Sequence, residues 1–265
     1  MTTEWEFDGS TGKITARTWP VEAPRYLAVL VHGYGEHIGR YEYVAATLNR
    51  HGATVYGLDH MGHGKSEGER VLIDDYEAVV ADVHHVVQRA RADRPGLPLV
   101  LIGHSMGGMI AARYAQHHGA ELAALVLSGP VIGSWEQVTS MLEMPEIPFV
   151  PINVATLSRD PEIGRIYAED PLVWHGPFKR ELIAALDRCL KAINAGPKLG
   201  SLPTLWVHGA ADELVPLEPS RAGVETIRGE NFTERVYGEA RHEVFNETNK
   251  DEVLGDVTAF IDRVL

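Results

Sequence analysis

The stretch Leu99-Val100-Leu101-Ile102-Gly103-His104-Ser105-Met106-Gly107-Gly108-Met109-Ile110-Ala111-Ala112 joins a continuous apolar run to a glycine-rich turn and then to a helix-forming segment. Four large aliphatic residues in a row, without polar alternation, predict a strand buried on both faces, as in a parallel sheet covered by helices. From Met109 to Ala115 there is no proline and no β-branched cluster, which predicts a helix ending at Gly119. A Gly-x-Ser-x-Gly turn between strand and helix is a nucleophile elbow: the glycines admit a strained serine backbone and close packing, and the hydroxyl stands exposed at the helix N-terminus. Ser105 is the candidate nucleophile.

The same strand-then-helix rhythm runs outward from this turn. Segments 5–7 and 14–19 read as an opening hairpin, separated by Asp8-Gly9 and Thr11-Gly12. Apolar strands follow at 26–31, 54–58 and 122–127, and amphipathic helices at 41–50 and 76–92. After a break the rhythm resumes with strands at 204–208 and 232–237 and a closing helix over 251–265. This order predicts an α/β fold with a mostly parallel central sheet and helices on both faces.

Between residues 131 and 200 the pattern changes. Prolines at 145, 148, 151, 161, 171 and 177 interrupt it, while Met141, Leu142, Met144, Ile147, Phe149 and Val150 make it unusually apolar. The division expected is a core over 1–130, a cap inserted over 131–200 above the active-site end of the sheet, and the rest of the core over 201–265. A packed subdomain with no acyl-binding role is the alternative.

Composition narrows the function classes. The 265 residues carry a formal charge of −13, which argues against electrostatic binding of nucleic acid or anionic lipid. Cys189 is the only cysteine, so no intramolecular disulfide forms, in keeping with a reducing compartment. Met1-Thr2-Thr3-Glu4-Trp5-Glu6 lacks the basic and apolar regions of a secretory leader, and no apolar run is long enough to span a bilayer. The expectation is a cytoplasmic protein; nothing in the sequence speaks to its oligomeric state.

A serine hydroxyl needs a base, and the base needs an acid to hold its tautomer. In an elbow-bearing fold these follow the serine in the order acid, then histidine. Asp212 lies just past the 204–208 strand and His242 just past the 232–237 strand, both where loops beyond parallel strands converge. Of thirteen histidines, His51, His84, His85, His117, His118 and His175 read as surface or packing residues. The oxyanion formed on attack calls for two donors. The backbone N–H of Met106 opens the elbow helix, and the N–H of Tyr34 is freed by Gly33 and Gly35. His32 and His104 abut glycine turns and read as buttresses. Asp59, His60 and His63 resemble a metal set only superficially, because no further ligand completes a tetrahedron; no metal or cofactor is expected.

The runs HGYGEHIGRY (32–41), LDHMGHGKSEGER (58–70), GHSMGG (103–108) and LSRDPEIGRIYAEDPL (157–172), with the His242 region, resemble the monoacylglycerol lipase family of α/β-hydrolases over nearly the whole chain. The resemblance implies cofactor-independent hydrolysis of monoacylglycerol to glycerol and a fatty acid through an acyl-enzyme. It also implies an apolar cap that contacts membranes or micelles. It carries the triad onto Ser105, Asp212 and His242, the oxyanion donors onto Tyr34 and Met106, and contacts to the glycerol head onto Glu36, Arg40 and Tyr167. Animal members have a further histidine shortly after the catalytic one, where this chain has Phe245. A lysophospholipase or general carboxylesterase with the same triad is the nearest alternative; a silent binding protein on the same scaffold is the alternative of another class.

Overall fold

Side chains along β3 (Tyr26–Val31) alternate between two hydrophobic clusters: Leu27, Val29 and Val31 enter one, and Tyr26, Ala28 and Leu30 the other. β5 (Leu99–His104) divides in the same way, Leu99 and Leu101 against Val100 and Ile102. An uninterrupted apolar run is therefore what a strand covered on both faces requires. The computed structural model describes residues 2–265; Met1, where the expected leaderless N-terminus begins, lies outside them.

Among the described residues one sheet holds eight strands in the order β1-β2-β4-β3-β5-β6-β7-β8. The remaining strands are β1 (Thr3–Asp8), β2 (Lys13–Trp19), β4 (Ala53–Leu58), β6 (Ala124–Ser128), β7 (Thr204–Gly209) and β8 (Phe232–Tyr237). β2 runs antiparallel to both neighbours, and every pairing from β4 to β8 is parallel. The helices α2 (Tyr76–Asp93), α3 (Met106–His118) and α7 (Leu217–Ile227) pack on one face, while α1 (Glu42–Arg50) and α8 (Lys250–Val264) cover the other. β3 pairs with β4 on one side and β5 on the other, so the chain reverses direction across the sheet there. Ligands in open α/β sheets bind outside the strand C-termini at such a switch point.

Local chemistry explains the boundaries. α2 starts where the Asp75 carboxylate accepts from the Glu77 N–H at 2.9 Å, an N-cap that satisfies one orphan donor. α3 begins at Met106, earlier than the expected start at Met109, because the elbow turns in a single residue and Gly107 and Gly108 are already helical. Gly119 keeps a right-handed φ of −57° and opens a short 3₁₀ turn over Gly119–Glu121 instead of a left-handed stop. That turn delays β6 to Ala124, two residues past the expected start.

The inserted region contains α4 (Glu136–Thr139), α5 (Pro161–Glu169) and α6 (Arg180–Ala195). α5 is capped by Asp160, with Pro161 in its first turn. α6 buries Leu182, Ile183, Leu186, Leu190 and Ile193 in the same cluster as α3 and β5. Within 131–200 this helix joins the cluster that flanks the sheet, and an apolar face at helical spacing does not say which surface it will cover. Leu157, Tyr167 and Val173 form a separate small cluster. Among the described residues no helix is long and apolar enough to cross a membrane.

Candidate active site

β5 delivers Ser105 into α3 with φ +56° and ψ −122°, a conformation rare for a residue with a side chain and worth roughly 1–3 kcal/mol of strain. Surrounding hydrogen bonds hold it. Ser105 N–H donates to the Ser128 carbonyl at 2.9 Å, and the Ser105 carbonyl accepts from Gly108 and Val131 N–H. The glycines are sterically required. A Cβ at Gly103 would lie 2.2 Å from the Gly107 carbonyl oxygen, and one at Gly107 would lie 2.1 Å from the Val31 carbonyl oxygen.

Loops after β7 and β8 bring the other two residues to this point. Ser105 Oγ–H donates to His242 Nε2 at 2.9 Å, and His242 Nδ1–H donates to Asp212 Oδ2 at 2.7 Å. An ionised carboxylate only accepts, so Asp212 places the proton on Nδ1 and leaves Nε2 free to take one from serine. Asp212 is itself held: Oδ1 accepts from Leu214 and Val215 N–H, each at 2.9 Å, and Oδ2 lies 3.4 Å from His208 Nε2. Burial would raise its pKa, but the charge of His242 and the histidine hydrogen bonds outweigh it and hold the carboxyl well below the ordinary value. For His242 burial alone would lower the pKa. Asp212 overrides it and raises the imidazole above 6.5.

The loop that follows β3 lies directly over the serine. A Cβ on Gly33 would come within 3.1 Å of Ser105 Cβ. Glu36 braces this turn, its Oε1 accepting from Gly33 N–H and Tyr41 O–H, each at 2.7 Å. From the inserted region the Phe178 ring stacks on Tyr34 at 4.5 Å, and the Trp174 backbone N–H donates to the Gly35 carbonyl at 2.7 Å. Met106 is the first residue of α3, where a backbone N–H has no partner within the helix.

Glu36, Arg40 and Tyr167, expected at the glycerol head, all border the same cavity. Glu36 and Arg40 are already occupied with each other. The Arg40 guanidinium donates to Glu36 at 2.6 Å and in bidentate fashion to Glu243 at 2.8 Å, and its carbon stands 5.0 Å from the Tyr167 ring centroid. His208 and Glu243 were invisible as site residues in the sequence; for Glu243 the only signal is that it adjoins His242. His32 and His104 act as buttresses. His32 Nδ1 bonds the Gly33 carbonyl at 2.8 Å, and its Nε2 accepts from His60 N–H at 3.0 Å. His104 Nδ1 faces Ser128, and burial lowers its pKa to about 4, which keeps it neutral.

His60 Nε2 and His63 Nδ1 are directed at the backbone carbonyls of His32 and Met61. On the far surface His84, His118 and Glu121 come close together, and the two imidazoles stack at 4.2 Å with planes 18° apart.

A cavity of about 320 Å³ opens above Ser105. Trp135, Val138, Met141, Ile152, Phe178 and Leu214 give it an apolar wall, and Glu36, Arg40, Glu213 and Glu243 sit among its polar lining. None of the cap residues in that wall was singled out from sequence as a binding residue, because a broken apolar segment does not show which side chains turn inward.

The family model described as serine aminopeptidase, S33, matches residues 22–249. The chain is 38% identical to the monoacylglycerol lipase of Mycolicibacterium smegmatis, over 97% of this chain and 96% of that one. It is 35% identical to the human monoglyceride lipase, over 87% and 80% of the two chains. The crystal structure of a thermostable carboxyl esterase from Bacillus coagulans in complex with glycerol superposes with a TM-score of 0.84 at 25% identity, covering 99% of this chain and 98% of the other. The chain belongs to the serine aminopeptidase S33 family of α/β-hydrolases, and within it to the monoacylglycerol lipases.

Proposed function

We propose that the protein is a serine hydrolase that cleaves monoacylglycerol to glycerol and a fatty acid. The observation that carries this reading is the unbroken chain Ser105 Oγ to His242 to Asp212 at the floor of an apolar cavity. His242 takes the Ser105 proton as the oxygen attacks the ester carbonyl, and the resulting oxyanion is held by the N–H groups of Tyr34 and Met106. The protonated imidazole then gives its proton to the departing glycerol oxygen. A water deprotonated by His242 next attacks the acyl-enzyme, and the fatty acid leaves as Ser105 recovers its proton. No step calls for a cofactor.

In this reading the acyl chain lies along the Trp135, Met141, Ile152 and Leu214 wall. The glycerol end faces Glu36, Arg40 and Tyr167; the Tyr167 hydroxyl supplies a hydrogen bond, and the Glu36–Arg40 pair shapes the charge around it. The lysophospholipase alternative is disfavoured by that charge. Arg40 is the cation there, flanked by the carboxylates of Glu36 and Glu243 with Glu213 nearby, so a phosphodiester would meet net negative charge.

The cap is proposed to comprise the part of 131–200 ahead of α6. Met144, Phe149 and Val150 are exposed along it, and this edge is proposed to touch membranes or micelles that carry the substrate. The deciding assay compares wild type and Ser105→Ala on monoacylglycerol, lysophosphatidylcholine and short p-nitrophenyl esters. Preference for monoacylglycerol, abolished in the variant, is the expected result. Equal turnover by the variant sinks the nucleophile, and a preference for lysophosphatidylcholine sinks the substrate.

A further inference from the structure

The carboxylate of Glu247 is fully buried and accepts from five donors belonging to two distant parts of the chain. Oε1 accepts from the backbone N–H of Arg241 at 2.8 Å and of Arg159 at 3.1 Å. Oε2 accepts from the Arg159 guanidinium Nε–H and from the Thr248 N–H, each at 2.9 Å, and from the Thr248 O–H at 3.4 Å. Arg241 is the residue immediately before His242, and Arg159 lies in the cap just ahead of α5. The Arg241 guanidinium crosses the other way, to the carbonyls of Ala155 and, at 3.0 Å, Ser158. Glu243 N–H donates to the Leu157 carbonyl at 2.8 Å, and Ser158 O–H to the Asn246 carbonyl at 3.1 Å. Residues 155–159 are thus laced to residues 241–247 on both sides of His242.

This lacing has no counterpart at the ring of His242. The imidazole meets Asp212 and Ser105 and lies 4.8 Å from the His104 ring, while its own backbone N–H makes one long bond, at 3.4 Å, to the Thr156 carbonyl, so most of its placement comes from the residues on either side. We propose that Glu247 and Arg159 form a positioning clasp that sets the His242 imidazole between Asp212 and Ser105, so that the seating of the cap is transmitted to the base. The inference rests on reading His242 as the base of the proposed reaction.

Two physical points support the clasp. A carboxylate removed from water is tolerated only when its oxygens are filled, and here five donors fill them. Burial would raise the Glu247 pKa, but the N–H groups of Arg241 and Thr248 and the Arg159 guanidinium outweigh it and hold the carboxyl below its ordinary value. The clasp therefore stays charged wherever the enzyme works. Because a displacement of about 1 Å at a reacting group costs roughly 10²-fold in rate, a loosened His242 backbone has a measurable consequence.

The test uses the full chain with Glu247→Ala, Glu247→Gln, Arg159→Ala and His242→Ala, each checked for folding by circular dichroism. Glu247→Ala is expected to lower kcat about 10²-fold with KM nearly unchanged. The acid limb of its rate profile should move down toward the ordinary histidine value, because the Nδ1 bond to Asp212 is loosened. Glu247→Gln keeps an acceptor for the Arg241 N–H and should recover most of kcat. Arg159→Ala leaves Glu247 its backbone donors and should move both readouts in the same direction by less; it carries the test if Glu247→Ala does not fold. Wild-type kcat with an unmoved acid limb in these variants overturns the clasp, as does a loss of kcat with the limb unmoved and no recovery in Glu247→Gln. If His242→Ala turns over at the wild-type rate, the base assignment falls and the clasp falls with it. An inactive His242→Ala beside an unaffected Glu247→Ala sinks the clasp alone.

Discussion

His242 Nε2 stands 2.9 Å from Ser105 Oγ across 137 residues of chain, and the contact exists because β5, β7 and β8 all end at the same edge of the sheet. The strands supply direction, and the loops beyond them supply chemistry.

The first prediction concerns the residue that orients this contact. In Asp212→Asn the side-chain amide no longer demands a proton on Nδ1, so the tautomer with Nε2 protonated becomes available and cannot accept from serine. Turnover of monoacylglycerol should fall by about 10⁴-fold with little change in KM. Steady-state kinetics check it. A drop of less than tenfold would show that Asp212 does not set the tautomer.

The pH response follows from the same pair. Only neutral His242 acts as base, and its pKa is raised above 6.5, so kcat/KM should fall on the acid side with a midpoint above 6.5. Asp212, Glu243 and Glu36 face the imidazole with negative charge, while His104 opposes them. Stability runs the opposite way to activity here. A raised folded pKa means the protonated imidazole favours the fold; this contribution is complete below 6.5 and is lost as pH rises through the folded value. Asp212 behaves conversely: its contribution is present above 3.8 and is lost as pH falls toward its depressed folded value. Rate and thermal-denaturation profiles against pH test both; a midpoint at or below 6.5 contradicts the first.

A third prediction separates two kinds of glycine. Gly107→Ala would place a methyl 2.1 Å from the Val31 carbonyl oxygen, where backbone is the obstacle and cannot swing aside. Destabilisation of about 3 kcal/mol or more is expected. Gly238→Ala meets nothing within 4 Å and should stay within about 0.5 kcal/mol of wild type. Urea denaturation of the two variants decides it, and equal midpoints would contradict the close packing of α3 on β3.

These cases show what the residue order discloses. The β5 strand and the elbow were legible because burial on two faces demands an uninterrupted apolar run, and a one-residue turn demands glycines at fixed offsets. The order of Ser105, Asp212 and His242 was legible because parallel strands deliver their following loops to one rim. The partner of α6 was not: its apolar stripe has the same spacing whether it covers a cap or the core. Nor does residue type show that Glu36 and Arg40 bond to each other, or that His208 and the clasp at Glu247 hold the Asp212 and His242 loops. Those pairings span from a few residues to nearly ninety and depend on how loops close.

The last prediction concerns the exposed edge of the cap. Phe149 and Val150 are 59% and 56% exposed, with Met144 beside them in sequence at 44%. Solvent gains nothing from large apolar side chains, whereas insertion into a lipid interface would remove that area from water. Phe149→Ser with Val150→Ser should weaken binding to phosphatidylcholine vesicles about tenfold, which corresponds to ~1.4 kcal/mol of lost apolar burial. With a net charge of −13 the protein should bind less well when anionic lipid is added, and salt should relieve the loss. Hydrolysis of a soluble short-chain ester should change far less than vesicle binding, because neither substitution touches Ser105, His242 or Asp212 and only Val150 borders the cavity. Vesicle co-sedimentation provides the measurement. Equal binding of variant and wild type, or tighter binding to anionic vesicles, would show that this edge is not what meets the lipid.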